Sequence, residues 1–420
     1  MTLTAGTDSF SLSGSNVLNF YNSYTSQFPG PNMQQQFTAK YFADIFGAGG
    51  DTLPHFSQQY FTQYPLLNTE AISLAMTVDG VNFSLSTAAN SNTIVLNIPQ
   101  ANIHQTFSDT SRYNTLMDFS NWVKTNGNTL INELHNAIAS HSAVDTVIGN
   151  PQSFVQTLST ATANFGTSSG ETTAQGPSPL LNPAFSMMME PQYYGARGVS
   201  GLSMHIPITY TWFLDDPRYA ITLDVPLTYV QQVSPGSSVD TFDGAVGIGI
   251  RVPLTDHWYV TPQAHLGAVA SDDSGTLGLG TYGTMIYSFA VRSKYNIFLD
   301  DDLTLSINNA GGYYHSLSVT IGKYALNPRI ETGILSNGVS AETSSGIPLF
   351  GNPTSWRAYV LDNRMVGTHS TIPGWDEFGV SFGTEEGVTT QSWENLRFGM
   401  SLAVGAADYR AVELNLTVRF

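Results

Sequence analysis

The segment from Tyr409 to Phe420 alternates without interruption, with Val412, Leu414, Leu416, Val418 and Phe420 separated by Glu413, Asn415, Thr417 and Arg419. A period of two puts every apolar side chain on one face of a strand and every polar or charged one on the other. Such a strand is either the half-buried edge of an ordinary sheet or one stave of a lipid-facing barrel. The two differ in whether the pattern recurs upstream.

It does recur. Leu202, Met204, Ile206, Ile208, Tyr210, Trp212 and Leu214 share one face against His205, Thr209 and Thr211, and Asp215-Asp216-Pro217-Arg218 then turns the chain. Tyr219, Ile221, Leu223, Val225, Leu227 and Tyr229 return against Thr222, Asp224 and Thr228. Val246, Ile248, Ile250, Val252 and Leu254 repeat the alternation, as do Leu396, Phe398, Met400, Leu402 and Val404. Further turns at Thr255-Asp256-His257 and Asp300-Asp301-Asp302 follow at intervals suited to successive hairpins. With Phe185 to Tyr194 as the first strand, about twelve are expected, an even number as bacterial barrels require. The stretch from Lys323 to Gly374, broken by Pro328, Pro348, Pro353 and Pro373, gives the weakest signal. Tyr194, Trp212, Tyr219, Tyr229, Trp258 and Tyr295 lie near strand ends, where interfacial aromatic girdles form.

Composition supports this and excludes other classes. Charged residues are 11% of 420, against about a quarter in typical soluble domains. A net charge of -17 with no basic stripe argues against nucleic acid as a partner. Cysteine is absent, which excludes disulfide frameworks and thiolate metal sites. No apolar run reaches the roughly eighteen residues of a transmembrane helix. Met1 to Gly6 has neither a basic start nor an apolar core, so a removed export signal is expected.

Residues 1–142 read as a mixed, helix-rich domain. Thr2 to Pro31 is expected to be an irregular arm, and Phe37, Tyr41, Phe42 and Ile45 predict a helix over 32–46. Phe56, Tyr60, Phe61 and Tyr64 read as packing residues. Strands are expected at Ala71 to Val78, Val81 to Leu85 and Thr93 to Ile98, with Asp79-Gly80 as a hairpin turn. Two helices follow, one capped by Asp109 or Thr110 and stopped by Asn126-Gly127, the other capped by Asn128 or Thr129. His135 and His141 are six apart and do not share a helical face, so no metal pair is expected.

Residues 143–180 read as a plug helix and linker before a barrel over 181–420. Asn150 and Pro151 suit a helix start, and Phe154, Leu158 and Ala161 form a narrow apolar stripe on a helix otherwise built of Gln, Ser and Thr. Such a helix suits a polar lumen or a third helix of the amino-terminal domain. Gly166 to Pro179 is the linker. Parity puts Arg251, Arg292, Lys294, Arg397 and Arg419 on the inward faces with Asp224, Glu413, His205 and His265. That basic wall is suited to attracting anions, to holding a plug, or to plain solvation with local ion pairs. Serines near His205, His265 and His315 are expected by chance, and the acidic turns lack calcium-loop spacing, so neither catalysis nor a cofactor is expected.

The alternation ending at Leu416, Val418 and Phe420 resembles the carboxy-terminal assembly signal of Gram-negative outer-membrane barrels. It implies an outer-membrane location, lipid contact and recognition by the barrel-assembly machinery. Ile148-Gly149-Asn150-Pro151-Gln152-Ser153-Phe154, with Pro253 to Trp258 and Ser271 to Asp273, resembles the channel that exports functional-amyloid subunits in the Fap system. That resemblance implies a periplasmic amino-terminal part, a plug over Asn150 to Phe165, an exported protein and a homo-trimer. The sustained heptads of a trimeric coiled coil are lacking here. Asn182-Pro183-Ala184 is similar to a motif that long-chain fatty-acid channels carry near their amino terminus. The expected function is therefore a gated channel or secretion pore, opened when the helix is displaced through the linker. A passive porin or hydrophobic-solute channel, and an adhesive barrel with a partner-binding amino-terminal domain, are the alternatives.

Overall fold

The computed structural model describes residues 2–5, 66–78, 81–163, 184–234, 237–273, 281–299, 303–321, 324–326, 329–368, 370–385 and 396–419. The expected helix over 32–46, the aromatics at 56–64, the linker 166–179, Asp300 to Asp302 and Phe420 lie outside these residues.

The amino-terminal part is an antiparallel five-stranded sheet in sequence order: β1 (Thr2–Ala5), β2 (Ile72–Val78), β3 (Val81–Thr87), β4 (Thr93–Ile98) and β5 (Ile103–Ser108). β1 gives the start of the expected irregular arm a partner, pairing with β2. A short helix α1 (Leu66–Thr69) precedes β2. Where two helices were expected there is one, α2 (Arg112–His141), capped by the Ser111 hydroxyl on the Asn114 amide. Gly127 meets nothing within 4 Å and sits inside the helix instead of ending it. A glycine there costs about 1 kcal/mol. The stripe Phe119, Val123, Leu130, Leu134 and Ile138 buried on Val81, Phe83, Leu96 and Ile98 outweighs that several-fold. Arg112, 3% exposed, ties helix to sheet by donating to the carbonyls of Ser91, Glu70 and Ala88.

Twelve antiparallel strands then close on themselves. They are β6 (Ala184–Ala196), β7 (Val199–Phe213), β8 (Ala220–Ser234), β9 (Ser237–Pro253), β10 (Trp258–Asp273), β11 (Thr281–Phe298) and β12 (Leu303–Leu317), followed by β15 (Glu331–Ser344), β16 (Thr354–Gly367), β17 (Gly374–Thr384), β18 (Leu396–Gly405) and β19 (Arg410–Arg419). A two-stranded hairpin outside the barrel, β13 (Val319–Ile321) with β14 (Tyr324–Leu326), interrupts the count where the prolines obscured it. β19 pairs with β6 from Arg410↔Gly195 to Arg419↔Ser186 and closes the wall. Both barrel termini therefore lie at one end, the terminal mouth, with the turns at 214–219 and 254–257. The turn at 406–409 and the β13–β14 hairpin lie at the other, the distal mouth.

Alternation sorts the wall. Outside, Val246, Ile248, Ile250, Phe378, Val380, Leu402, Val404, Val412 and Leu414 are each 46–57% exposed, as part of a continuous apolar surface. Near the terminal mouth it is edged by Tyr210, Trp212, Trp258, Tyr295 and Trp356. An apolar patch of this extent on a closed barrel is a hydrocarbon-facing surface. No described helix is long and apolar enough to cross a membrane. Leu416 and Val418 lie on this outer face.

Candidate functional site

The lumen is occupied by the chain itself. α2 ends at the distal mouth, where Arg329 pairs with Glu133 at 3.2 Å. Residues 142–153 then turn compactly inside the distal half, and α3 (Phe154–Ala163) runs on toward the terminal mouth. The helix begins later than the expected Pro151 because Asn150 works in a turn. Its Oδ1 accepts from the Gln152 amide, while its own amide donates to the Ser153 hydroxyl. Gly149 admits no side chain, since a Cβ there would collide with the Ser142 carbonyl oxygen and Asp145. Asp145 Oδ1 accepts from Val147 and Ile148 at 3.0 and 2.7 Å, and burial nonetheless raises its carboxyl to about 6.

Polar tethers fix this knot to the distal wall. Thr146 meets Ser271 at 2.8 Å, Asn150 donates to Gln232 at 3.2 Å, and Ser370 donates to the Gly149 carbonyl at 3.1 Å. Gln152 accepts from Ser203 at 2.9 Å and donates to Tyr409 at 3.3 Å. Apolar contacts carry more. Val147, Ile148, Phe154, Val155 and Leu158, all under 5% exposed, pack on Ala245, Val269, Ile286, Tyr314 and Ile334 of the inner wall. In the lumen expected to be polar, one sector of the wall is apolar, and α3 seats against it. Gly267 leaves room for the Phe154 ring, which would lie 2.7 Å from a Cβ at that position.

Charge divides the lumen along its axis. Arg251, Arg292, Arg397 and Arg419 are each 3–6% exposed, and with Lys294 and Arg357 they lie in the terminal half of their strands. Asp224 and Glu342 share that half. Glu377 and Glu413 lie toward the distal ends of their strands, and Glu190 and Asp243 lie mid-strand. The negative end of the α3 dipole consequently points into the basic half and its positive end toward the carboxylates, a favourable alignment.

The expected basic residues are not one functional group. Arg397 joins Arg357 on Glu342, at 3.0 and 2.7 Å, in a network completed by Ser355 and Ser381. Arg251 donates to the Pro217 and Arg218 carbonyls and lies 5.4 and 5.5 Å from the Phe213 and Tyr259 ring centroids, strapping the 214–219 turn to the wall. Asp224 accepts from Thr209 at 3.0 Å. Glu413 faces inward beside Glu190 and Glu377. His205 pairs in register with Glu190, and His265 packs across Gly247. Sequence reading missed Glu342 and Arg357 because the prolines around them hid the alternation, and missed Gln152, Ser203, Gln232 and Tyr409 because tethers join residues far apart in the chain. No cluster suited to a metal ion occurs among the described residues.

No family model matches the chain, and no curated protein matches it in sequence. Among solved structures, the translocator domain of autotransporter NalP from Neisseria meningitidis aligns at a TM-score of 0.45 and 12% identity, covering 57% of this chain and 88% of that one. The β domain of the Bordetella autotransporter BrkA gives 0.44 and 14%, covering 57% and 99%. An outer membrane channel from Pseudomonas putida gives 0.38 and 13%, covering 57% and 96%.

Proposed function

We propose that this outer-membrane barrel carries its own amino-terminal region across the membrane, presents it on the cell surface, and rests with its pore closed by α3. The observation that carries this reading is the path of the chain: domain at the distal mouth, plug through the lumen, first barrel strand at the terminal mouth. An even-stranded outer-membrane barrel keeps both termini in the periplasm. The distal mouth and the domain over 66–141 then face outward, which reverses the periplasmic location expected from sequence. Leu416, Val418 and Phe420 would serve recognition by the assembly machinery during insertion.

A second reading, a gated channel in which α3 leaves the lumen, is favoured by the buried basic groups of the terminal half. The two readings differ in the side on which the domain lies and in the resting conductance.

Because cysteine is absent, single-cysteine labelling is clean. Thr106→Cys, on an exposed position of β5, should react with a membrane-impermeant maleimide on intact cells. Asp256→Cys, in a terminal-mouth turn, should react only after the outer membrane is permeabilised. Labelling of Asp256→Cys but not Thr106→Cys on intact cells would overturn the display reading.

A further inference from the structure

One sector of the outer wall departs from the apolar pattern of the rest. Asn309 of β12, Asn337 of β15, Asp362 of β16 and Asp376 of β17 stand directly opposite one another in successive strand pairs, so they form an unbroken polar row across four strands. Their parity, shared with Ile307, Val339, Val360 and Phe378, puts them on the outer face, and both asparagines are exposed. Arg364, outward on β16, bridges Asp362 and Asp376, the latter at 3.1 Å. On β9, β10 and β18, by contrast, the outward positions between Phe242 and Val252, Trp258 and Ala270, and Leu396 and Val404 hold no charged or amide side chain. We propose that the face of β12, β15, β16 and β17 is an interface with a second copy of this chain in the membrane. The inference stands whether or not the amino-terminal region is displayed.

Depth is the first argument. Asp362 follows Trp356, on the aromatic edge near the terminal mouth, along β16. Six residues at ~3.3 Å each span about 20 Å of strand. With a strand tilt of about 35–45°, that is roughly 14–16 Å into an apolar band about 25 Å tall. At that depth neither water nor a lipid headgroup reaches the row. An asparagine amide carries two donor protons and two acceptor lone pairs, so pairing Asn309 with Asn337 alone leaves groups of both kinds unmatched in hydrocarbon. One arginine between two aspartates likewise leaves a net negative charge there. Ser293 of β11, opposite Asn309, shows the alternative: it is satisfied within the chain, accepting from Trp258 Nε1 at 2.8 Å. The choice of a second copy rests on self-complementarity. Two copies inserted in the same direction present the same residues at the same depth. A two-fold axis along the membrane normal near β15 then sets Asn337 against its own counterpart, and amides satisfy one another because each both donates and accepts. Gly311 and Gly333, outward on the distal side of the row, keep the wall flat where a second backbone approaches.

The chain has no cysteine, so cross-linking from single introduced thiols tests the face on the full chain in its membrane. Asn337→Cys with a short bifunctional maleimide should give a product of twice the chain mass. Ile206→Cys, outward on β7 across the barrel and as far from Trp212 as Asp362 is from Trp356, should not. Light scattering of the purified chain in micelles should show more than one chain per particle. The double variant Asn309→Leu with Asn337→Leu suits hydrocarbon and should still give a heat-modifiable barrel. It should self-associate on the order of tenfold more weakly, as the loss of interchain hydrogen bonds within a membrane implies. A wild type that is monomeric at every concentration overturns the proposal. So does equal cross-linking from Asn337→Cys and Ile206→Cys, or cross-linking of Asn337→Cys only to a different protein. A folded double variant that associates as tightly as the wild type is equally fatal, and should that variant fail to fold, the two cysteine variants decide alone.

Discussion

Removing the side chains that seat the plug should turn a silent barrel into a conducting one, and the size of the effect follows from burial. Val147, Ile148, Phe154, Val155 and Leu158 are each under 5% exposed against the inner wall. At about 1.5–3 kcal/mol per buried large apolar side chain, withdrawal into water costs roughly 8–15 kcal/mol. Even the lower figure leaves about one barrel in a million open at rest. Phe154→Ala should cost about 3–5 kcal/mol and Leu158→Ala about 2–5. They lie one helical turn apart, so their effects will not simply add. Together they bring the seated and withdrawn states within reach of each other. In planar bilayers the wild type should stay silent, Phe154→Ala should open rarely, and the double variant should flicker toward the conductance of a chain lacking 142–163. Steady wild-type conduction at the deletion level would refute the reasoning. So would a double variant as silent as the wild type beside a conducting deletion.

Three further outcomes are expected. Burial raises the Asp145 carboxyl to about 6, so the protonated form is favoured in the docked knot; that stabilisation is present at low pH and lost as pH rises through about 6. Hydrogen exchange over 142–163, corrected for intrinsic rates, should therefore be slower at pH 5 than at pH 7.5 by about 1.4 kcal/mol of protection, roughly tenfold. Asp145→Asn should be well protected at both, and a pH dependence surviving that substitution would exclude Asp145 as its source. Glu342→Gln leaves Arg357 and Arg397 buried against a neutral group and should cost about 3–5 kcal/mol, read as an earlier midpoint in heat-modifiable gel migration. Leu414→Lys, on the outer face at 56% exposure, should cost about 2–4 kcal/mol in urea unfolding from lipid vesicles, and a cost near zero would mean that face does not meet hydrocarbon.

The barrel was legible in the sequence because strand parity is a local property. Wherever apolar and polar residues alternate over ten or more positions, each side chain's face is decided by its immediate neighbours. Arg251, Arg292 and Arg419 could thus be assigned inward without knowing which strands pair. Local signals were weaker guides where packing overrode them. Asn126-Gly127 carries a stop signal, yet α2 continues through it because a buried stripe on either side outweighs one glycine. Pro348 and Pro353 hid the boundaries of β15 and β16, and with them the Glu342 network.

The direction in which the plug threads the lumen was beyond reach, because it depends on which mouth receives residues 142–153, and that is decided by contacts between residues far apart in the chain. Gln152 lies 257 positions from Tyr409, and Gly149 lies 221 from Ser370. The apolar seat was equally hidden. Ala245, Val269, Ile286 and Ile334 each sit between polar or small residues on the inner face of a different strand, and closure of the wall gathers them into a single patch. Alternation along the chain determined that a barrel forms and which side chains face its interior. Closure and long-range contact determined what that interior holds, because neither leaves a mark within the span of one strand.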